Sequence, residues 1–212
     1  MIKNKNSGCY YNVYIVYLCF TMNRIYIIAG PNGAGKTTAS YTILPEIFEC
    51  NEFVNADEIA KGISPFKHEK VALKAGRIML ERIDELINNN ESFAFETTLA
   101  TKSYVALIKE AKLKNYEIIL LFLALDSQEL ALKRVKTRVK EGGHNIPEDV
   151  IKRRFEKGLY NLFNLYIPIV DKWLLVDNSG EHFEFISEGA HTEITVKNKM
   201  RWELLKEKYY GN

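Results

Sequence analysis

Residues 30–37 read Gly-Pro-Asn-Gly-Ala-Gly-Lys-Thr, and no other stretch constrains the fold so tightly. The pattern is G-x-x-x-x-G-K-[ST], a phosphate loop, in which each position has a physical task. Gly30, Gly33 and Gly35 let the backbone turn sharply and, with Pro31, Asn32 and Ala34, wrap it around phosphate oxygens. Lys36 supplies a cation for the β- and γ-phosphates. Thr37 offers its hydroxyl to Mg²⁺, and Thr38 follows it into the helix whose positive N-terminal end faces the same anion.

The flanks give the loop its required setting. Before it runs Arg24-Ile25-Tyr26-Ile27-Ile28-Ala29, apolar and rich in β-formers, which reads as a strand buried on both faces. After it, residues 37–44 predict a helix that Pro45 stops. Further along, strands are expected at 53–55, 92–95, 118–125 and 173–176. Helices are expected at 68–88, 102–114, 128–140 and from Pro147 to about 166, with Asp126-Ser127 as a cap and Gly142-Gly143 as a break. On the first of these the apolar line is taken as Val71, Leu73, Ile78, Leu80, Ile83, Leu86 and Ile87. Residues 182–196 predict a β-hairpin and 199–209 a closing helix. Alternating strands and helices mean right-handed crossovers, so the expected class is α/β. It is a phosphate-loop NTPase or kinase fold: a parallel sheet covered by helices on both faces, with a helical lid and the C-terminal hairpin and helix.

Such sheets bind ligands at the carboxyl ends of their strands. Three sites should therefore converge: the phosphate loop, Asp57 after the second strand, and Glu96-Thr97-Thr98 after the third. Asp57 suits a general base for a substrate hydroxyl; its competing reading is an N-cap for a short helix from Glu58. Glu96, Thr97 and Thr98 supply a charge and two hydroxyls, the paired polar contacts that a polyol or sugar needs. Residues 134–158 form two basic helices joined by a glycine turn, a lid whose arginines would neutralise charge developing on a transferred phosphoryl group. Arg138 and Arg153 are the candidates taken for that role, with Arg154 flanking the apolar line of its helix. His144 lies in the turn between them, and the other histidines are read as surface.

The bulk numbers exclude several classes. The 212 residues suffice for one core and a small appendage. A net charge of +2, with no basic stripe interleaved with aromatics, argues against nucleic acid and against a membrane surface. Cys9, Cys19 and Cys50 are in no metal spacing, which fits a reducing, cytoplasmic location without a disulfide framework.

With G-P-N-G-A-G-K-T (30–37), N-A-D (55–57), F-E-T-T-L (95–99) and G-G-H-N-I-P-E-D-V-I-K-R-R-F (142–155) in this order, the chain resembles the zeta toxin family of phosphate-loop kinases over roughly residues 22–180. It looks closest to the small, single-domain branch described as predicted ATPases. The resemblance implies an ATP- and Mg²⁺-dependent small-molecule kinase, frequently the toxin of a toxin–antitoxin pair, so an antitoxin is an expected partner. Characterised members phosphorylate a sugar hydroxyl of UDP-N-acetylglucosamine. Carried over by motif, Lys36 and Thr37 would bind ATP·Mg, Asp57 would be the base, and Glu96 with Thr98 would line the sugar site. Arg138, Arg153 or Arg154 would supply the lid cations. The lid of this chain is spaced differently from that of the best-studied toxins, which leaves the acceptor open. The alternatives are a kinase for another nucleotide, a cofactor or an antibiotic, and a nucleotide-dependent switch or ATPase with no small-molecule acceptor.

Residues 22–212 are expected to form the kinase domain, and residues 1–21 an extension outside the native protein. Cys9 to Phe20 is aromatic and apolar but too short to span a bilayer, which takes about 20 residues. Met22 sits just before the first strand and is read as the true start; an added edge strand or a weak anchor is the rival. Mass spectrometry of the natural protein is expected to find no peptide from residues 4–21, and finding one rules out the Met22 start.

Overall fold

The computed structural model describes residues 22–143, 145–190 and 192–211. The expectations for residues 1–21 and for His144 and His191 lie outside the described residues. Among the described residues seven strands form one sheet: β1 (Arg24–Ala29), β2 (Phe53–Val54), β3 (Phe93–Thr97), β4 (Glu117–Ala124), β5 (Lys172–Asp177), β6 (Glu184–Ala190) and β7 (Glu193–Val196). Their order is β2-β3-β1-β4-β5-β6-β7. The first five run parallel, and β6 and β7 are antiparallel additions at one edge. The hairpin foreseen at 182–196 is therefore not a separate appendage: it continues the main sheet, making that sheet mixed.

Burial explains the centre of this order. Ile25, Ile27, Ile118 and Leu120 have no exposed surface, and the run from Ile25 to Ala29 is buried throughout. A strand apolar on both faces is stable only between other strands and under helices on either side. Each such Ile or Leu removed from water contributes about 1.5–3 kcal/mol.

Among the described residues seven α-helices connect and cover the strands: α1 (Lys36–Glu46), α2 (Ala56–Ile63), α3 (Ala72–Asn88), α4 (Ser103–Leu113), α5 (Gln128–Lys140), α6 (Glu148–Asn161) and α7 (Lys199–Tyr209). Several boundaries differ from the sequence expectation. Pro45 does not stop α1 but sits inside its last turn, where the lost N–H costs only one late ladder bond. The helix expected from residue 68 opens as a 3-10 turn, His68–Val71. The buried face of α3 is Ala75, Met79, Ile83, Leu86 and Ile87, while Leu73 and Leu80 are exposed. A helical stripe is only as narrow as the surface it meets, and the sequence placed this one too wide. The helix expected to reach residue 166 ends at Asn161 and continues as a π turn, Leu162–Tyr166. That turn and α7 meet through aromatic contact, with Trp202 stacked on Trp173 and tilted against Phe163 at ring separations of 5.6 and 5.5 Å.

The close seating of α6 positions the site. A Cβ on Gly158 would lie 2.5 Å from the backbone oxygen of Thr98, so glycine allows the helix to rest directly on the chain leaving β3. Asn161, buried one turn on, donates Nδ2 to the Leu99 oxygen at 2.6 Å. Leu99 holds a left-handed φ of 54°, a conformation that non-glycine residues keep only where surroundings over-determine it. For Gly158→Ala two effects compete. Removing glycine from a helix interior favours folding by about 1 kcal/mol, and overpacking against a fixed carbonyl costs about 1–3 kcal/mol. The clash is with backbone, so we expect a net loss of stability of up to roughly 2 kcal/mol in denaturant unfolding; a gain would show that α6 shifts freely off the Thr98 turn.

Candidate active site

The phosphate loop runs from the end of β1 to the start of α1. Gly35, at φ 79°, is the residue before the helix, and no side chain caps the first turn. The first main-chain N–H groups of α1 are thereby left for an external anion, which the helix end favours. Lys36 is buried at 6% exposure, and its ammonium donates to the Pro31 oxygen across the loop at 3.0 Å.

Glu96, near the end of β3, is the hub of the site. Its Oε2 accepts from the Thr37 hydroxyl at 2.7 Å and from Asn55 Nδ2 at 2.8 Å. Its Oε1 stands 3.5 Å from Lys36 Nζ. The parallel register makes this possible: β3 lies beside β1 with Ala29 opposite Thr97, so the chain end after β3 lies beside the loop leaving β1. One carboxylate thus ties the phosphate loop, β3 and the start of α2 together.

Asn55 was expected to end the second strand; it is instead the cap of α2. Its Oδ1 accepts from the backbone N–H groups of Asp57 and Glu58 at 2.8 and 3.4 Å. That overturns the cap reading of Asp57, which lies inside the first turn of α2 with its carboxylate uncommitted to helix capping. Asp57 lines a cavity of about 190 Å³ together with Asn32, Lys36, Asn55, Glu96, Thr97, Thr98, Thr101, Tyr104, Met79 and Arg154. Tyr104 forms part of this wall, its hydroxyl 3.9 Å from Met79 Sδ, and burial raises its pKa above the ordinary tyrosine value. Thr97 Oγ1 accepts from the Leu99 N–H at 3.1 Å, so this hydroxyl shapes the turn as well as lining the cavity.

Asp57, Lys36, Glu96, Thr97 and Thr98 are therefore brought to one cleft from three strand ends. The lid arginines divide. Arg154 lines the cavity; burial lowers its pKa from the ordinary arginine value, the Asp57 charge opposes that shift, and Arg153 adds to it. Arg153 is exposed and is not among the residues around the cavity, so the helical phase of α6 selects Arg154 in its place. Arg138 lies in the last turn of α5, where its own carbonyl accepts from the Gly143 N–H at 2.8 Å. It too is absent from the cavity wall.

Arg134 was expected as a basic residue of the lid, and neither its supporting role nor that of Asn178 was foreseen. Arg134 donates Nη1 to the Asn178 oxygen at 2.6 Å and Nη2 to the Ser179 oxygen at 2.9 Å, so it braces the segment after β5 and is not a mobile lid cation. Asn178 in turn donates Nδ2 to the Ala34 oxygen of the phosphate loop at 2.8 Å, and a Cβ on Gly35 would meet the same nitrogen at 2.8 Å. The available signal was Asp177-Asn178-Ser179 at a strand end, the position at which this kind of sheet binds ligands.

A sequence-family model described as Zeta toxin matches residues 21–181. A Haemophilus influenzae protein described as uncharacterized is 30% identical over 133 residues, which is 63% of this chain and 93% of that protein. Among solved structures, AvrRxo1-ORF1:-ORF2 with ATP aligns with a TM-score of 0.72 at 16% identity, over 87% of this chain. The alignment spans 63% of the length of that relative. The PezAT chromosomal toxin–antitoxin system of Streptococcus pneumoniae aligns with a TM-score of 0.59 at 17% identity, over 91% of this chain and 80% of that chain. At these identities the structural likeness is one of fold.

The bracing of the loop is testable. A net hydrogen bond is worth about 0.5–1.5 kcal/mol, so Asn178→Ala is expected to weaken ATP binding by up to roughly tenfold. Isothermal titration with ATP checks this, and unchanged affinity would show that the Ala34 carbonyl needs no partner to hold the loop.

Proposed function

The chain belongs to the zeta toxin family, and from that premise we propose that it is an ATP-dependent phosphotransferase acting on a hydroxyl of a small molecule. UDP-N-acetylglucosamine, or a related activated sugar, is the acceptor we assign. The observation that carries this reading is Asp57: a carboxylate freed from capping by Asn55, in one cavity with Lys36 of the phosphate loop.

The proposed chemistry follows from that placement. Asp57 takes the proton of the acceptor hydroxyl as its oxygen attacks the γ-phosphorus, and the bond to the departing ADP oxygen breaks. Lys36 and Arg154 neutralise the charge spread over the phosphoryl oxygens. Mg²⁺, when bound with the nucleotide, supplies further neutralisation of the β- and γ-phosphates. The Thr37 hydroxyl fits it, since it is a hard oxygen donor and Mg²⁺ takes one or two protein ligands beside phosphates and waters. Thr98, Thr101 and Tyr104 beside Asp57 provide polar groups that a sugar would pair with. These groups favour an acceptor pocket over the rival reading of a nucleotide switch, which needs only a positioned water. We assign the lid to about residues 134–158 of a kinase domain spanning 22–212, with Arg154 as its inward cation. Of the two solved structures above, one is a toxin–antitoxin system, which supports an antitoxin as the proposed protein partner.

Asp57→Asn is expected to lower turnover on the order of 10²- to 10⁴-fold, the usual contribution of a positioned base, with ATP affinity unchanged. Lys36→Ala is expected to abolish transfer. Phosphorus NMR of the protein with ATP, Mg²⁺ and a panel of UDP-sugars and nucleosides should show a new phosphomonoester with one acceptor. Full turnover in Asp57→Asn would remove that residue from the base role, and ADP release with every acceptor ignored would favour the switch.

A further inference from the structure

The edge of the sheet opposite β2 ends in β7, and all four of its residues, Glu193-Ile194-Thr195-Val196, are exposed. No strand lies on its outer side among the described residues. An open edge of this kind is a template for another strand unless the sequence blunts it.

The register fixes what this edge offers. Ala190 faces Glu193, Glu188 faces Thr195, and beyond β7 the Lys197 N–H donates to the Ile186 oxygen at 2.9 Å. In an antiparallel pair, alternate residues turn their backbone groups toward the neighbour. Glu193, Thr195 and Lys197 therefore spend theirs on β6, and Ile194 and Val196 present theirs outward. The side chains alternate as well. Ile194 and Val196 line an apolar groove of about 430 Å³ with Phe163, Ile167, Trp202 and Tyr210. Glu193 and Thr195 lie on the other face, beside Leu174 and Glu188.

We propose that β7 is a dimer edge that pairs antiparallel with β7 of a second copy of this chain about a two-fold axis through Thr195. This register places Ile194 opposite Val196 of the second copy as a hydrogen-bonded pair, twice over, using the outward backbone groups. Thr195 meets its own counterpart. Glu193 lies opposite Lys197 of the second copy, and Lys197 opposite its Glu193. The charges carry the argument for this occupant. Flanking charges of one sign would repel a second copy and blunt the edge; here opposite signs stand two residues either side of the axis, so self-pairing is complementary. Among the described residues Lys197 stands 4.0 Å from Glu188, both side chains more than half exposed, a contact too weak to hold it. The two seven-stranded sheets would join edge to edge. The candidate active site would stay open, since it sits at the ends of β1, β2 and β3, on the other side of β4 to β6.

Sedimentation velocity of the full chain from about 1 to 200 µM tests this by mass action. The expected result is a dimer fraction that rises with concentration. Because the interface is isologous, each substitution acts twice. Glu193→Lys or Lys197→Glu alone should weaken the dimer by roughly tenfold or more, and the double exchange Glu193→Lys/Lys197→Glu should restore it. Val196→Pro removes an outward donor without touching the β6 ladder, and proline is tolerated on edge strands, so it should give a folded monomer. A chain monomeric across the range overturns the proposal, leaving β7 blunted or covered by another segment or partner. So does a dimer indifferent to both charge reversals, which would assemble through another surface.

Discussion

The carboxylate of Glu96 is the point on which the site is built. It holds Lys36 and Thr37 from one stretch of sequence and Asn55 from another within 2.7–3.5 Å. Burying a charge is costly unless it is paired and its remaining lone pairs are used. Here a cation and two neutral donors meet that demand. The arrangement also couples functions: the residue that fixes the phosphate-loop lysine and threonine also fixes, through Asn55, the first turn of the helix that carries Asp57. The nucleotide side and the proposed acceptor side of the cavity share one anchor. Glu96 was expected from its position to face a sugar; it does border the cavity, but its two oxygens are already engaged with the phosphate loop and Asn55.

A second set of contacts holds the outer wall. Gly158 and Asn161 seat α6 against the strained turn after β3, which brings Arg154 over the cavity. Arg134 and Asn178 tie α5 and the end of β5 to the loop from the opposite flank. The two helices of the proposed lid are thus each anchored to backbone carbonyls, α5 through Arg134 and α6 through Asn161. The hairpin β6–β7 lies at the far edge from β2. The sheet therefore separates the candidate cleft from the proposed dimer edge.

Much of this was legible before any coordinates. The phosphate loop, the alternation of apolar runs with helical stretches, and the placing of Asp57 and Glu96 at strand ends all follow from local sequence and from the rule for open α/β sheets. What could not be read were choices between neighbours. Asn55 and Asp57 are both good caps, and only the direction in which the chain leaves β2 gives the role to Asn55. Arg153 and Arg154 are adjacent on one helix, a rotation of about 100° apart, and the phase is set by how closely Gly158 lets α6 approach Thr98. Leu73 and Leu80 fit the helical period as well as Met79 does, yet the surface under α3 is too narrow to cover them.

The sequence by itself determined that this chain grips a polyphosphate, because a phosphate loop is a contiguous segment whose glycines, lysine and threonine act through their own backbone. It also determined the order of strands and helices, since periodicity is a local property. Tertiary structure alone decided which carboxylate is a strut and which is free, which arginine faces the cavity, and where the hairpin joins the sheet. The contacts that make Glu96 the strut and brace the phosphate loop join residues 41 to 144 positions apart, and their energies depend on packing that no local pattern records.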